Sequence, residues 1–191
     1  VRMLKNMGTE EIIVCGSKGI LSRDQKYTNW VHQELASITN PREIHGILSD
    51  AMRGADVFIG VSAKDIVTQE MVASMAKDAI VFPMANPDPE IRPELARAGG
   101  AAIIGTGRSD HPNQINNVLA FPGIFRGALD ARASDINEEM KMAAAAALAG
   151  LVQEGDLCKD SIIIPAFDPR VGQTVAKAVY DAAVASGTAR I

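Results

Sequence analysis

The amino-acid sequence predicts an α/β domain built on a doubly wound parallel sheet. Short apolar runs bounded by turn formers recur at residues 11–15 (EIIVC), 55–61 (ADVFIGV), 79–85 (AIVFPMA) and 101–105 (AAIIG). Strands buried on both faces read as continuous runs of this kind, and the helical stretches between them supply the crossovers that parallel pairing requires. Composition agrees: 47% of the residues are hydrophobic but only 4% aromatic. Small and branched side chains must therefore fill the core, as they do where helices lie close against a sheet.

Taken in chain order, residues 1–8 read as the end of an amphipathic helix stopped by Gly8. The strand at 11–15 follows, closed by Gly16. Trp30, Val31, Leu35 and Ile38 fall at helical spacing within 29–38, and Asn40-Pro41 breaks that helix. Residues 44–52 read as a second helix, closed by Gly54 and carrying His45. After the strand at 55–61 comes a loop of small residues, and Thr68 is placed to cap a helix reaching Ala76. The strands at 79–85 and 101–105 end in Asn86-Pro87 and Thr106-Gly107.

Beyond about Asn113 the pattern turns helical, at 123–132, 137–152 and 171–186, and these helices are expected to cover the sheet. Met140, Ala144, Leu148 and Leu151 share one face of the alanine-rich helix, which argues for close packing. The run 161–165 (SIIIP) is extended, as an edge strand or a strap, with Pro165 and Pro169 keeping it out of helix. Residues 1–191 form one domain with no internal repeat and no disordered linker.

Several function classes are excluded. The formal charge is -4 and the basic residues are scattered, so no footprint for nucleic acid exists. No apolar run reaches the roughly 18 residues that cross a bilayer, and no signal-like segment opens the chain, so no membrane partner and a cytoplasmic location are expected. Cys15 and Cys158 stand far apart with no metal-ligand spacing, which favours reduced thiols and no metal site. His111 lies in a loop without a second ligand nearby, and His32 and His45 look structural.

In an open parallel sheet, ligands gather beyond the carboxyl ends of the strands. That rule selects the loops Gly16-Ser17-Lys18, Val61-Ser62-Ala63, Asn86-Pro87-Asp88 and Thr106-Gly107-Arg108. The phosphate fingerprint G-x-G-x-x-G is absent: Gly105 and Gly107 fill its first two places, but Asp110 stands at the third. Where such folds often place an acid for the adenosine ribose, this chain has Gly16. Ser17 and Lys18 can instead accept a 2'-phosphate, with a solvated turn lysine as the equal alternative. Asn86, between an apolar strand and a proline, offers an amide that donates and accepts; an Asx-type turn is the alternative. Asn116 and Asn117 precede the run VLAFPG and serve either as a helix cap or as a second pair of ligand-facing amides.

The segments IIVC (12–15), GADVFIGVSA (54–63), VFPMANPDPEI (81–91), TGRSDHPNQINNVLAFPGIFRGALD (106–130) and IIIPAFDPRV (162–171) together resemble the malic enzyme family. The likeness spans nearly the whole chain, and the NQINNVLAFPG block is specific. It implies a Rossmann-like NAD(P)-binding domain lacking its first strand, with a helical C-terminal part. It further implies oxidative decarboxylation of malate to pyruvate and carbon dioxide, with NAD or NADP and a divalent Mg or Mn ion. By this resemblance Asn86, Asn116 and Asn117 bind malate, while Gly16, Ser17, Lys18, Val61, Ser62, Ala63 and Asn86 line the cofactor. The family's general base and acid, its acidic metal ligands and its glycine-rich phosphate loop are expected upstream of Val1, so the isolated chain should be inactive. A homodimer is also expected. Two other classes stay open: another NAD(P)-dependent dehydrogenase of the amino-acid or folate type, and a non-catalytic nucleotide-binding module.

Overall fold

A computed structural model describes residues 1–191. Three parallel strands form the sheet, β3 (Val57–Gly60), β4 (Ile80–Pro83) and β5 (Ile103–Ile104), in the order β3-β4-β5. Val57 lies opposite Ile80, which lies opposite Ile103, so consecutive strands are also neighbours. The helices α3 (Leu48–Met52), α4 (Gln69–Ala73) and α5 (Pro93–Ala98) precede or link them. Val81 and Ile104 point to one face, where they pack with Met52, Val72, Met75, Ile91 and Ala96 in a buried cluster. Val57 and Ile59 point the other way and are 45% and 43% exposed.

Local chemistry sets the helix starts. Asn29 accepts from the Val31 N–H at 2.9 Å ahead of α2 (Trp30–Ile38), and Thr68 accepts from the Met71 N–H at 3.3 Å ahead of α4. Each caps donors that no earlier turn of helix can satisfy. The predicted helix at 44–52 shrinks to α3 because Gly46 takes φ 131, outside the helical region, and the Asn40 side chain claims both the N–H and the C=O of Ile44. His45 accordingly sits on a loop.

The run at 11–15 departs further from expectation. Only Cys15–Gly16 (β1) is a strand, paired antiparallel with Gly19–Ile20 (β2) in a small hairpin. The carbonyls of Ile12 and Val14 accept from the Asn40 and Leu21 N–H groups, at 2.7 and 2.8 Å. With its acceptors taken by flanking loops, the run makes no parallel ladder. A short helix, α1 (Arg2–Asn6), stands before it and is joined to α2 by the ion pair Arg2–Glu34.

Three longer helices follow, α6 (Phe121–Asp130), α7 (Glu138–Ala149) and α8 (Arg170–Ala185). They pack on one another around a second core instead of forming a cover for the sheet. Val171, Val175, Val179 and Ala183 make a stripe along α8, facing Met140 and Ala144 of α7. A Cβ added at Gly123 or Gly127 of α6 would lie 2.6 Å from the Cβ of Val175 or 2.8 Å from that of Val179. Two glycines four residues apart thus let α6 press its backbone against a valine stripe of the same period. The SIIIP run is a strap, not a strand: its one ladder contact is a bridge between Ser161 and Cys158.

Candidate functional site at the carboxyl edge of the sheet

β3, β4 and β5 are parallel and in register, so the segments that follow them emerge at one edge. Val61, Ser62 and Ala63 leave β3, Asn86 leaves the end of β4, and Thr106-Gly107-Arg108 follows β5. Val61, Ser62, Ala63 and Asn86 are all exposed, Val61 at 77%. The Asn86–Pro87 peptide is cis. Gly107 closes the row from the other side, since a Cβ there would lie 4.0 Å from Met84 O and 3.9 Å from Ile115 O. Ile115 leads directly into Asn116 and Asn117, both exposed.

The two asparagines of that pair are not equivalent. Asn116 accepts from the Val118 N–H at 3.0 Å, capping the 3-10 turn Asn117–Leu119. Its oxygen is therefore engaged, and its Nδ2 is the atom that can meet a ligand. Asn117 stands inside the turn with its amide exposed. Asn113, a third polar residue of the block, is buried and structural: its Nδ2 donates to Ile104 O and Lys159 O, and its Oδ1 accepts from the Ile162 N–H.

Gly16, Ser17 and Lys18 occupy the separate β1–β2 hairpin. Ile20 N donates to Gly46 O at 3.0 Å, which seats the hairpin against the chain entering α3. Ser17 and Lys18 are exposed, and Gly16 lies 3.6 Å from Leu21, measured from where a Cβ would stand.

One residue that sequence reasoning passed over organises this edge. Glu90 is fully buried, and its carboxylate accepts from the Ser62 N–H at 2.8 Å and from the Ala85 N–H at 3.0 Å. Its backbone C=O accepts from Val67 N–H, and that of Pro89 from Asp65 N–H. Gly60 makes room: a Cβ there would fall 2.6 and 2.7 Å from the two carboxylate oxygens. The one signal in the sequence is an acid set among prolines and Ile91 in PDPEI, since glutamates are buried only when partnered.

Beside this edge lies a polar cleft of about 760 Å³, walled by Asp65, Asp88, Arg92, Glu94, Arg108 and His111. Two of the loops selected from the sequence reach it, through Asp88 and Arg108, whereas none of the residues assigned to malate or cofactor lines it. Arg108 donates from Nε to Asp110 at 2.8 Å, and this bond above all holds the Asp110 carboxyl down to about 2. Elsewhere, burial raises the Cys15 thiol. No group of three or more His, Cys, Asp or Glu side chains in this chain is arranged to hold a metal ion. No helix is long and apolar enough to cross a membrane.

An α/β fold with parallel strands whose loops emerge at one carboxyl edge belongs to the open-sheet class, in which ligands gather beyond the strand ends. Residues 4–184 match the family described as malic enzyme, NAD binding domain, and the chain belongs to that family. It is 55% identical over 192 residues to the bifunctional malic/malolactic enzyme of Bacillus subtilis (strain 168), covering 100% of this chain and 47% of that protein. It is 53% identical over 189 residues to the NAD-dependent malic enzyme of Geobacillus stearothermophilus, covering 99% of this chain and 39% of that one. Among solved structures, the NAD-dependent malic enzyme of Thermotoga maritima superposes with a TM-score of 0.88 at 43% identity, over 94% of this chain and 47% of that one. The Entamoeba histolytica malic enzyme gives 0.93 at 37% identity, over 100% and 41%. The chain thus spans less than half the length of these relatives.

Proposed function

We propose that this chain is the nucleotide-binding part of an enzyme that oxidatively decarboxylates malate to pyruvate and carbon dioxide, reducing NAD or NADP. What supports the reading is the row of exposed groups along one sheet edge, Ser62 after β3 and Asn86 after β4, in a chain so similar to malic enzymes. Asparagine suits the task because its amide binds a carboxylate through N–H and a hydroxyl through O without bringing a charge to the reacting carbon. Asn86, Asn117 and the Nδ2 of Asn116 hold malate in this scheme. Val61, Ser62, Ala63, Asn86 and the hairpin residues Gly16, Ser17 and Lys18 line the nicotinamide cofactor, which when bound supplies the hydride acceptor. The general acid and base and the ligands of a divalent cation lie on the other part of the enzyme, which acts in the cytoplasm as a homodimer.

The test is an assay of the intact enzyme with malate, manganese and either NAD or NADP. Malate-dependent cofactor reduction with stoichiometric pyruvate is expected, and its absence with both cofactors would refute the assignment. The 191-residue chain assayed alone should give no turnover; turnover there would refute the division of labour. Ser17 and Lys18 favour NADP, and exchanging Lys18 for Ala should then raise the KM for NADP more than that for NAD.

A further inference from the structure

Two loops that the proposed function sets around the ligands, 61–63 against the cofactor and Asn86 where cofactor and malate meet, are bound to a single buried carboxylate. We infer that Glu90 is a positioning residue that fixes the separation between cofactor and substrate, an inference that rests on the function proposed above. Its two oxygens take one N–H each, Ser62 from the end of β3 and Ala85 from the residue before Asn86. Neither contact is made within its own helix or strand. The carboxylate therefore bridges two strand ends exactly where the ladder between β3 and β4 stops, at Gly60 and Pro83.

The arrangement is specific in three ways. A buried acid must be compensated, and here every compensating donor belongs to a ligand-bearing loop. The side chain passes over Gly60, where no other residue type leaves it room. The backbone of the same segment, through Pro89 and Glu90 carbonyls, also holds Asp65 and Val67, so the β3 loop is pinned at both ends to the segment that follows Asn86. A shift of the carboxylate moves both loops together. Hydride transfer depends steeply on the distance between the two bound molecules, and misplacement by about 1 Å can cost on the order of 100-fold.

Glu90→Gln is the informative variant. It keeps the volume against Gly60, but its single carbonyl oxygen can accept from only one of the two N–H groups, and its NH2 opposes the other. Amide hydrogen exchange should quicken by about tenfold or more at Ser62 or Ala85, the opening expected where a buried bond is lost. In the intact enzyme kcat should fall by about tenfold or more as the two ligands lose their fixed separation, with the KM values for malate and cofactor changing less. Asn137→Ala, which removes the cap of α7 in the second core, is the control for lost stability and should leave kcat unchanged. If Glu90→Gln does not fold, Gly60→Ala displaces the same carboxylate and should give the same pattern.

Unchanged exchange at both amides would overturn the inference, as would equal falls in kcat in Asn137→Ala and the Glu90 variant. A wild-type enzyme inactive on malate would sink the functional assignment alone, because the exchange measurement still decides whether Glu90 holds the two loops.

Discussion

Asn113 accepts a hydrogen bond from the Ile162 N–H at 2.9 Å, across 49 residues of chain. The same side chain donates to Ile104 O of β5 and to Lys159 O, so one buried amide ties the end of the sheet to the strap that leads to α8. Replacing it with alanine leaves an N–H and two carbonyls without their partner, and each buried unsatisfied group costs about 1–3 kcal/mol. Asn113 also holds φ 56, a conformation that asparagine tolerates better than alanine. Asn113→Ala should therefore lower stability by at least about 2 kcal/mol, read as a reduced urea midpoint at unchanged slope. An unshifted midpoint would show that the strap is held by something else.

The α6–α8 contact makes a contrasting pair of predictions. At Gly127 even one methyl meets the Cβ of Val179 at 2.8 Å, and overpacking of this sort costs about 1–3 kcal/mol. At Gly172, inside α8, an added Cβ meets nothing within 4 Å. Gly172→Ala should instead stabilise by about 0.5–1 kcal/mol, because alanine loses less backbone entropy in a helix. Thermal denaturation should move in opposite directions for the two variants. A shift of the same sign for both would contradict the packing described for α6.

These contrasts mark what a sequence can reveal. The starts of α2, α4 and α7 were legible, at α4 with its cap, because the groups that set them, Asn29, Thr68 and Asn137, each act on an N–H two or three residues away. The strands β3, β4 and β5 were legible for a like reason, as apolar runs between turn formers. Residues 11–15 were not, because whether an apolar run forms a ladder depends on which strand lies beside it, and here the loops at Leu21 and Asn40 take its carbonyls. The covering role expected of α6 to α8 failed because the match between Gly123, Gly127 and the valines of α8 spans some fifty residues. Glu90 was missed at the site for the same cause: one of its partners, Ser62, lies 28 residues away.

The two thiols should separate by reactivity. Cys158 is exposed, whereas Cys15 is half-buried and burial raises its thiol. Because the thiolate is the nucleophile, iodoacetamide at neutral pH should label Cys158 first, with Cys15 following only as the pH rises or the chain unfolds. Peptide mapping after partial alkylation reads the order. Equal labelling would mean that the β1 hairpin opens far more readily than its packing implies.

Asp110 should titrate with a midpoint of about 2, held there chiefly by the hydrogen bond from Arg108. An unfolded aspartate titrates near about 3.9. The folded value is the lower one, so the pair's contribution is present above that pH and is lost as the pH falls toward 2. Both groups are exposed, which makes the effect local to the 106–111 loop. Carboxyl NMR titration of Arg108→Ala should bring the Asp110 midpoint back up toward the unfolded value, and a midpoint that stayed low would assign the shift to another cause.

Capping and ligand binding can be pulled apart at the asparagine pair. Asn116→Ala removes the acceptor for Val118 N–H and should cost about 1 kcal/mol of stability, as other N-cap deletions do. Asn117→Ala touches no cap and should leave stability unchanged. Asn116→Asp keeps a capping oxygen but replaces the donor Nδ2 with a carboxylate that repels malate. If the pair serves only as a helix start, Asn116→Asp behaves as wild type in the intact enzyme, and only Asn116→Ala is impaired. If it binds substrate as proposed, Asn117→Ala and Asn116→Asp both raise the malate KM, by about tenfold for each hydrogen bond lost, while their melting temperatures stay put. That combination of a moved KM and an unmoved melting temperature is one that a purely structural role cannot produce.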